Sequence, residues 1–340
     1  MVIADRLSKI LPNTISVEQG AFIQGKSITE SCVLAQEMFK DINRWVRGGN
    51  IFIKLDKEKA YDRLDWGFLL AVLRRLGFGE KWITMVKKCW SNSLFSVLLN
   101  GEACGFFRSS KGLCQGDLIS LGLFILAAEV LSRGFSQPMS NGACLPFKTR
   151  RNCRSVSHML FAYDTLLLVN GSCKTLNRIK SLDCYHRASG QRCNDRKSFF
   201  ILSAHQSEVR SRVILKILGF SKCEAPFTYL GMPIFKGRSK SSYFQPIMEK
   251  IHQRITGWKL KFLTQAGKIT LINYVLGNIL VHTIAATDIP RSILGELDKA
   301  SANLFIFLGL GGRQKALPLG QLEANILPKI GGRARCQEFE

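Results

Sequence analysis

A chain of 340 residues with 46% hydrophobic and 21% charged side chains can fill a substantial core in two or three subdomains, which excludes the disordered class. Its 48 Lys and Arg against 25 Asp and Glu leave a formal charge of +23 and a pI near 9.8. Such an excess attracts polyanions, of which nucleic acid is the commonest. Eleven cysteines without a Cys-x-x-Cys pair argue against a disulfide framework, and five separated histidines argue against a zinc site. Reduced thiols and an intracellular, soluble protein are expected. The start, Met1-Val2-Ile3-Ala4-Asp5-Arg6-Leu7, lacks the apolar stretch of a signal peptide, and the longest apolar run, Leu118 to Ala128, is too short to span a bilayer.

In chain order, Leu34, Met38 and Ile42, four apart, predict a helix over 28–45. Ile51-Phe52-Ile53-Lys54-Leu55 reads as a short buried strand ending at Asp56. Leu69, Val72, Leu73 and Leu76 mark an amphipathic helix that stops at Gly77. Leu94–Leu99 and Cys104–Phe107 flank Asn100-Gly101, a strong hairpin signal. Residues 116–133 read as a helix, followed by a polar loop with Pro138 and Pro146. Apolar runs before and after Phe161-Ala162-Tyr163-Asp164 predict a second hairpin, over 156–169, with an acidic tip. A helix is expected over about 174–188. Near residue 236 the character changes: 236–268 holds eight Lys and Arg and one acid, Glu249. Phe244, Ile247, Ile251, Ile255 and Trp258 recur there at helical spacing, as an apolar core stripe beneath a basic face. A basic helical domain therefore follows a mixed α/β one.

Asp56 at a strand end and the acidic hairpin tip are the pair that two-metal phosphoryl transfer requires. One ion lowers the pKa of an attacking hydroxyl, and both clamp the transition-state oxygens. An Asp at a strand end also commonly caps the next turn, so Asp56 alone does not decide.

Lys54-Leu55-Asp56-Lys57-Glu58-Lys59-Ala60-Tyr61-Asp62-Arg63-Leu64-Asp65-Trp66 closely resembles the first catalytic motif of reverse transcriptases from non-LTR (LINE-type) retrotransposons, particularly the plant kind. Further resemblances follow in the family's order. Arg6-Leu7 through Gln19-Gly20-Ala21-Phe22-Ile23 to Gly25-Lys26 is similar to the N-terminal fingers segment. Lys111-Gly112-Leu113-Cys114-Gln115-Gly116-Asp117 resembles the template-and-nucleotide motif. Ser189-Gly190, Asn194 and Lys197-Ser198 resemble the next motif, and Tyr229-Leu230-Gly231-Met232-Pro233 the primer grip. Gly257-Trp258-Lys259 to Leu271-Ile272 resembles the thumb-side helices. The resemblance covers about residues 2–312.

The resemblance implies an α+β right-hand polymerase. Fingers and palm, with an antiparallel sheet, would span 1–236, and a basic helical thumb 237–312, followed by a degenerate tail, 313–340. It implies an RNA-directed DNA polymerase using Mg²⁺, with RNA template, DNA primer and deoxynucleotides as partners, no membrane, and a nuclear location. By the same resemblance Asp56, with Asp164 at the hairpin tip, would bind metal, and Tyr61 would pack beneath the incoming sugar, although a core aromatic is the alternative. Gln115 and Gly116 would contact nucleotide and template, Lys197 would act near the leaving pyrophosphate, and Tyr229, Leu230 and Gly231 would form the primer grip.

The chain also departs from the pattern that it resembles. Where the family has Phe-Ala-Asp-Asp, Tyr163 holds the metal-binding Asp position, and Asp164 remains. Tyrosine is larger and uncharged at neutral pH. Neighbouring side chains on extended backbone point to opposite faces, so Asp164 replaces its neighbour only with a backbone shift. Asp117-Leu118-Ile119-Ser120-Leu121 lacks both prolines of the family's loop, and Cys114 stands in place of its Arg. A non-catalytic nucleic-acid-binding remnant of a retroelement is the alternative function.

Overall fold

The computed structural model describes residues 2–150, 156–180, 183–257, 283–284 and 286–306. Two compact units emerge, one from Met1–Ser27 with Asp41–Glu224, the other from Ile28–Lys40 with the described residues beyond Glu224. The expected tail 313–340, the stretch 258–272 and the side chain of Ile255 lie outside the described residues.

The first unit is built on a five-stranded sheet. Strand β1 (Asn50–Leu55) is rich in β-branched and aromatic residues and is buried on both faces. It lies between β5 (Asp164–Asn170) and β6 (Phe199–Leu202), antiparallel to both. Strand β4 (His158–Phe161) extends the sheet beyond β5, and β7 (Ser221–Lys222) pairs in parallel beyond β6. Period-two alternation sends Ile51, Ile53, Leu55, Leu160, Leu167, Val169 and Phe200 to one face, the back. Helices α5 (Leu118–Ser140), α6 (Cys173–Lys180), α7 (Asp183–Ser189) and α8 (Glu208–Leu218) cover that face with Leu131, Phe135, Leu176, Ile179, Tyr185 and Ile214. Each fully buried aliphatic or aromatic side chain here contributes about 1.5–3 kcal/mol. Phe52, Lys54 and Asp56 face the other way, to the front, where Phe52 meets Phe147 edge-on at 5.3 Å.

A second core of this unit surrounds the first half of α5. It is formed by α1 (Val2–Thr14) through Leu7 and Leu11, by α3 (Trp66–Arg75) through Leu69 and Leu73, and by α4 (Glu80–Ser91) through Ile83 and Val86. The exposed hairpin of β2 (Leu94–Leu99) and β3 (Glu102–Arg108) turns at Asn100-Gly101 as expected. In the second unit, α2 (Ile28–Lys40) packs with the hairpin β8 (Phe227–Tyr229) and β9 (Met232–Ile234). Gln36 clamps the Phe235 backbone from both sides, Nε2 donating to its carbonyl at 2.8 Å and Oε1 accepting its N–H at 3.2 Å. Phe235, Phe244, Met248 and Ile251 join Ile293 and Leu297 in that unit's core, with Ile247 and Ile251 of the expected stripe on helix α9 (Gln245–Gly257).

Two boundaries differ from expectation. Helix α2 stops at Lys40, five residues early, because Asp41 is engaged by Asn50 and Arg150: its carbonyl accepts from Asn50 Nδ2, and its carboxylate from Arg150. Helix α5 is 23 residues long and runs through Pro138, which falls in its last turn, where one lost backbone bond costs little. It is long and apolar enough to cross a bilayer, unlike the eleven-residue run read from sequence, yet 72% of its apolar window is buried inside the protein. The helix expected over 174–188 corresponds to α6 and α7, and residues 181–182 between them lie outside the described residues.

A buried polar chain ties the N-terminal segment to the sheet. Glu129 Oε2 accepts from Ser16 N–H and Oγ, Ser16 Oγ meets Ser132 Oγ at 2.6 Å, and Ser132 Oγ meets His158 Nε2 at 2.8 Å. Burial pushes the His158 imidazole down to about 4. A folded-state value below the unfolded one means that stability is complete above pH 6.5 and falls as pH drops toward 4. Chemical denaturation across pH 7 to 4 is expected to lose about 3 kcal/mol more in the native chain than in His158→Gln; parallel profiles would refute this.

Candidate active site

Asp56 follows β1 and Asp164 opens β5. Leu55 pairs with Thr165, so one further step in the antiparallel register places Asp56 opposite Asp164. Directly opposed residues share a face, and Lys54, two residues earlier, shares it too. Burial raises the Asp164 carboxyl above its ordinary value, Lys54 pulls it back, and the negative charge of Asp56 adds to the rise. Two carboxylates and one ammonium therefore stand together at the front of the sheet.

The Asp56 backbone is pinned from the side of β6. Its N–H donates to Ser198 Oγ at 3.0 Å, and its carbonyl accepts from Asn194 N–H at 2.7 Å. Two close backbone approaches then hold the loop 56–66. A side chain at Gly190 would bring its Cβ within 2.6 Å of the Arg63 carbonyl oxygen, and one at Gly112 within 2.6 Å of that of Asp62; both glycines also have positive φ. Trp66 Nε1 donates to the Gly112 carbonyl at 2.6 Å, and Leu113 N–H to that of Tyr61 at 3.0 Å. The glycines of two motifs thus act as packing surfaces for the loop that follows Asp56.

At the hairpin tip, Ala162 and Tyr163 make a two-residue turn with Ala162 at φ 55°. Gln19 braces it: its Oε1 accepts the N–H groups of Ala162 and Ala21, each at 3.1 Å, and its side chain is buried. Residues 18–20 run parallel to β4, exchanging backbone bonds with Leu160 at 2.8 Å. Sequence reading placed Gln19 in a motif without giving it this task, because the partner lies 143 residues away.

Tyr61 is 6% exposed and stacks on Phe124, with centroids 4.5 Å apart and planes at 23°. Burial and, after it, Tyr163 push its phenol up to about 12, so the two tyrosines are electrostatic neighbours. Tyr163 itself is 39% exposed. Gln115 and Gly116 lie exposed in the loop before α5, where Asp117 caps the helix by accepting from Ile119 N–H. Lys197 is exposed beside Asn194, whose carbonyl takes its N–H. Tyr229 is fully buried in the second unit, and Leu230-Gly231 form the tip of its β8–β9 hairpin.

Lys57 was not singled out in the sequence. Its Nζ is buried without a hydrogen-bond partner, 5.6 Å from the Phe124 ring centroid and 5.5 Å from that of Tyr185. Burial lowers its ammonium to about 8, against a smaller opposing effect of Cys193. Among the described residues no group of three or more His, Cys, Asp or Glu side chains could hold a metal ion. The front of the sheet offers the pair Asp56 and Asp164 alone.

A family described as reverse transcriptase (RNA-dependent DNA polymerase) matches residues 1–234. The chain belongs to that family. Over 313 residues, 90% of its length, it is 24% identical to an uncharacterized 149 kDa protein of transposon TX1 from Xenopus laevis. Over 70 residues, 21% of its length, it is 37% identical to a putative ribonuclease H protein of Arabidopsis thaliana. It spans 23% and 11% of those relatives. Apo telomerase from Candida tropicalis has the same fold, with a TM-score of 0.50 at 13% identity over 92% of this chain and 51% of the telomerase. The expected α+β right-hand polymerase class is therefore observed. The sheet of the first unit is the palm of this reverse transcriptase domain.

Two substitutions probe how the palm is held. Gln19→Met strands two buried N–H groups, each costing about 1–3 kcal/mol, and amide exchange at Ala162 is expected to accelerate; unchanged exchange would remove Gln19 from the support of the tip. Lys57→Met replaces an unpartnered buried ammonium with an apolar chain of similar length. A gain of roughly 1–4 kcal/mol in chemical denaturation is expected, and a loss would show that the ammonium has a stabilising role.

Proposed function

We propose that this domain is the polymerase core of a plant LINE-type (non-LTR) retrotransposon, and that it binds RNA template and DNA primer while extending the primer very slowly. The observation that carries this reading is Tyr163. A two-ion centre needs carboxylates from both strand ends, and the tip position that would supply one holds a phenol instead. Asp164 shares a face with Asp56, but burial raises its carboxyl above the ordinary value, Lys54 opposing the rise and the adjacent Asp56 charge adding to it. Two carboxylates supply donors for one Mg²⁺ whose remaining ligands are water and phosphate, and they do not supply a pair of ions. Lys54, on the same face, competes for those carboxylates.

The formal charge of +23 and the motif order support a nucleic-acid partner. In this reading Tyr61 with Gln115 and Gly116 faces the incoming deoxynucleotide and template, Lys197 serves the leaving pyrophosphate, and Tyr229, Leu230 and Gly231 grip the primer. The thumb begins near residue 237, and the protein works in the nucleus. A binding module without chemistry is the second reading, favoured by the same Tyr163.

Primer extension separates the two. Tyr163→Asp is expected to exceed the unmodified chain roughly hundredfold or more in extension rate with Mg²⁺, while primer–template affinity changes little. Robust extension by the unmodified chain, abolished by Asp56→Asn, would overturn the impaired-enzyme reading. Failure of Tyr163→Asp to restore any extension would favour the binding module.

A further inference from the structure

The charge excess of the first unit is not centred on Asp56. Residues 50–66 balance four acids with four cations, whereas helices α6, α7 and α8 carry seven Lys and Arg against two acids. These helices lie on the back of the sheet. Helices α6 and α8 pack side by side. They turn Leu176, Ile179 and Ile214 into the core and leave Lys174 and Arg178 on α6, with Arg212 and Lys216 on α8, exposed.

Each pair is spaced four residues apart, so each helix presents a cation on successive turns along one face. Packed helices lie about 8–10 Å apart, which sets two such rows side by side. The nearby acid Glu208 is already engaged by Lys222, and among the described residues Lys174, Arg212 and Lys216 form no salt bridge. Burial raises the Cys144 thiol, opposed by Arg178 and Lys174, so both α6 cations also bear on the loop after α5.

We propose that the exposed faces of α6 and α8 form a second nucleic-acid surface, behind the palm and separate from Asp56 and Asp164, that takes the phosphate backbone of a duplex. No aromatic side chain occurs in either helix, so the surface has no stacking platform for unpaired bases. Two rows of cations without base-reading groups suit backbone contact that is indifferent to sequence. The inference does not rest on the catalytic reading, since it concerns the opposite face of the sheet.

The test measures binding of a short blunt duplex, in RNA and DNA arms, to the full chain saturated with primer–template. Lys174→Gln, Arg178→Gln, Arg212→Gln and Lys216→Gln are combined, and thermal unfolding verifies the fold. A control removes the same charge at Lys9, Arg47, Lys81 and Lys148, which are exposed elsewhere. If the combined variant does not fold, the α6 pair and the α8 pair are each tested alone.

The back-face variant is expected to lose affinity about tenfold or more, with the log–log salt slope shallower by about 3–4, while the control stays near the unmodified chain. Equal losses in the two variants would reduce the effect to net charge and overturn the proposal. So would unchanged blunt-duplex binding in the back-face variant. A chain that binds blunt duplex yet rejects primer–template would defeat the proposed function and leave this surface standing.

Discussion

The pairing of β1 with β5 and β6 is the constraint on which the rest of the palm depends. Side chains alternate along a strand, so a one-residue slip would carry Asp56 and Lys54 to the helix-covered back and expose Ile53 and Leu55. The registers Leu55 with Thr165 and Lys54 with Phe199 forbid that slip by burying apolar residues on both faces. The same register opposes Asp56 to Asp164. Core packing thus decides where the carboxylates meet, before any ligand does.

Bringing like charges to one end of a sheet is unfavourable, and the surrounding contacts hold them there. Ser198 and Asn194 take up the Asp56 backbone, leaving its carboxylate at the front. The β4–β5 hairpin is anchored twice to the N-terminal segment, through Gln19 at the tip and through the Ser16, Glu129, Ser132 and His158 chain at its base. Fully satisfied polar networks specify one arrangement because each lost partner leaves a buried group stranded. Lys57, Gln19 Nε2 and Thr165 Oγ1 are among the exceptions, buried without a hydrogen-bond partner, and the Lys57 ammonium faces two aromatic rings.

The elements that follow from local pattern were legible in the sequence: β1 from its apolar run, α3 from its spacing and Gly77, and the β2–β3 hairpin from Asn100-Gly101. Boundaries set by distant partners were not. Asp41 leaves the helix because Asn50 and Arg150 engage it, and Pro138 stays helical because it falls in a last turn. At the site, Asp56, Asp164 and Tyr163 were visible through motif order. The brace from Gln19 and the burial of Lys57 were not, since both depend on which residues the fold brings near. Tyr61 reads from sequence as either a sugar-packing or a core aromatic, and its stacking on Phe124 is a contact with a residue far along the chain that local pattern does not reveal.

Tyr163 shows why fold and chemistry separate so readily in this palm. Its position is part of a two-residue turn and is 39% exposed. A phenol there costs the hairpin little, because Ala162 carries the positive φ and Gln19 holds the adjacent N–H. Asp56 differs, since its backbone is knitted to Ser198 and Asn194. Asp164 differs too, being the first residue of a buried strand. The one carboxylate position that the fold does not need is therefore the one at which chemistry can be lost while the reverse transcriptase architecture stays intact.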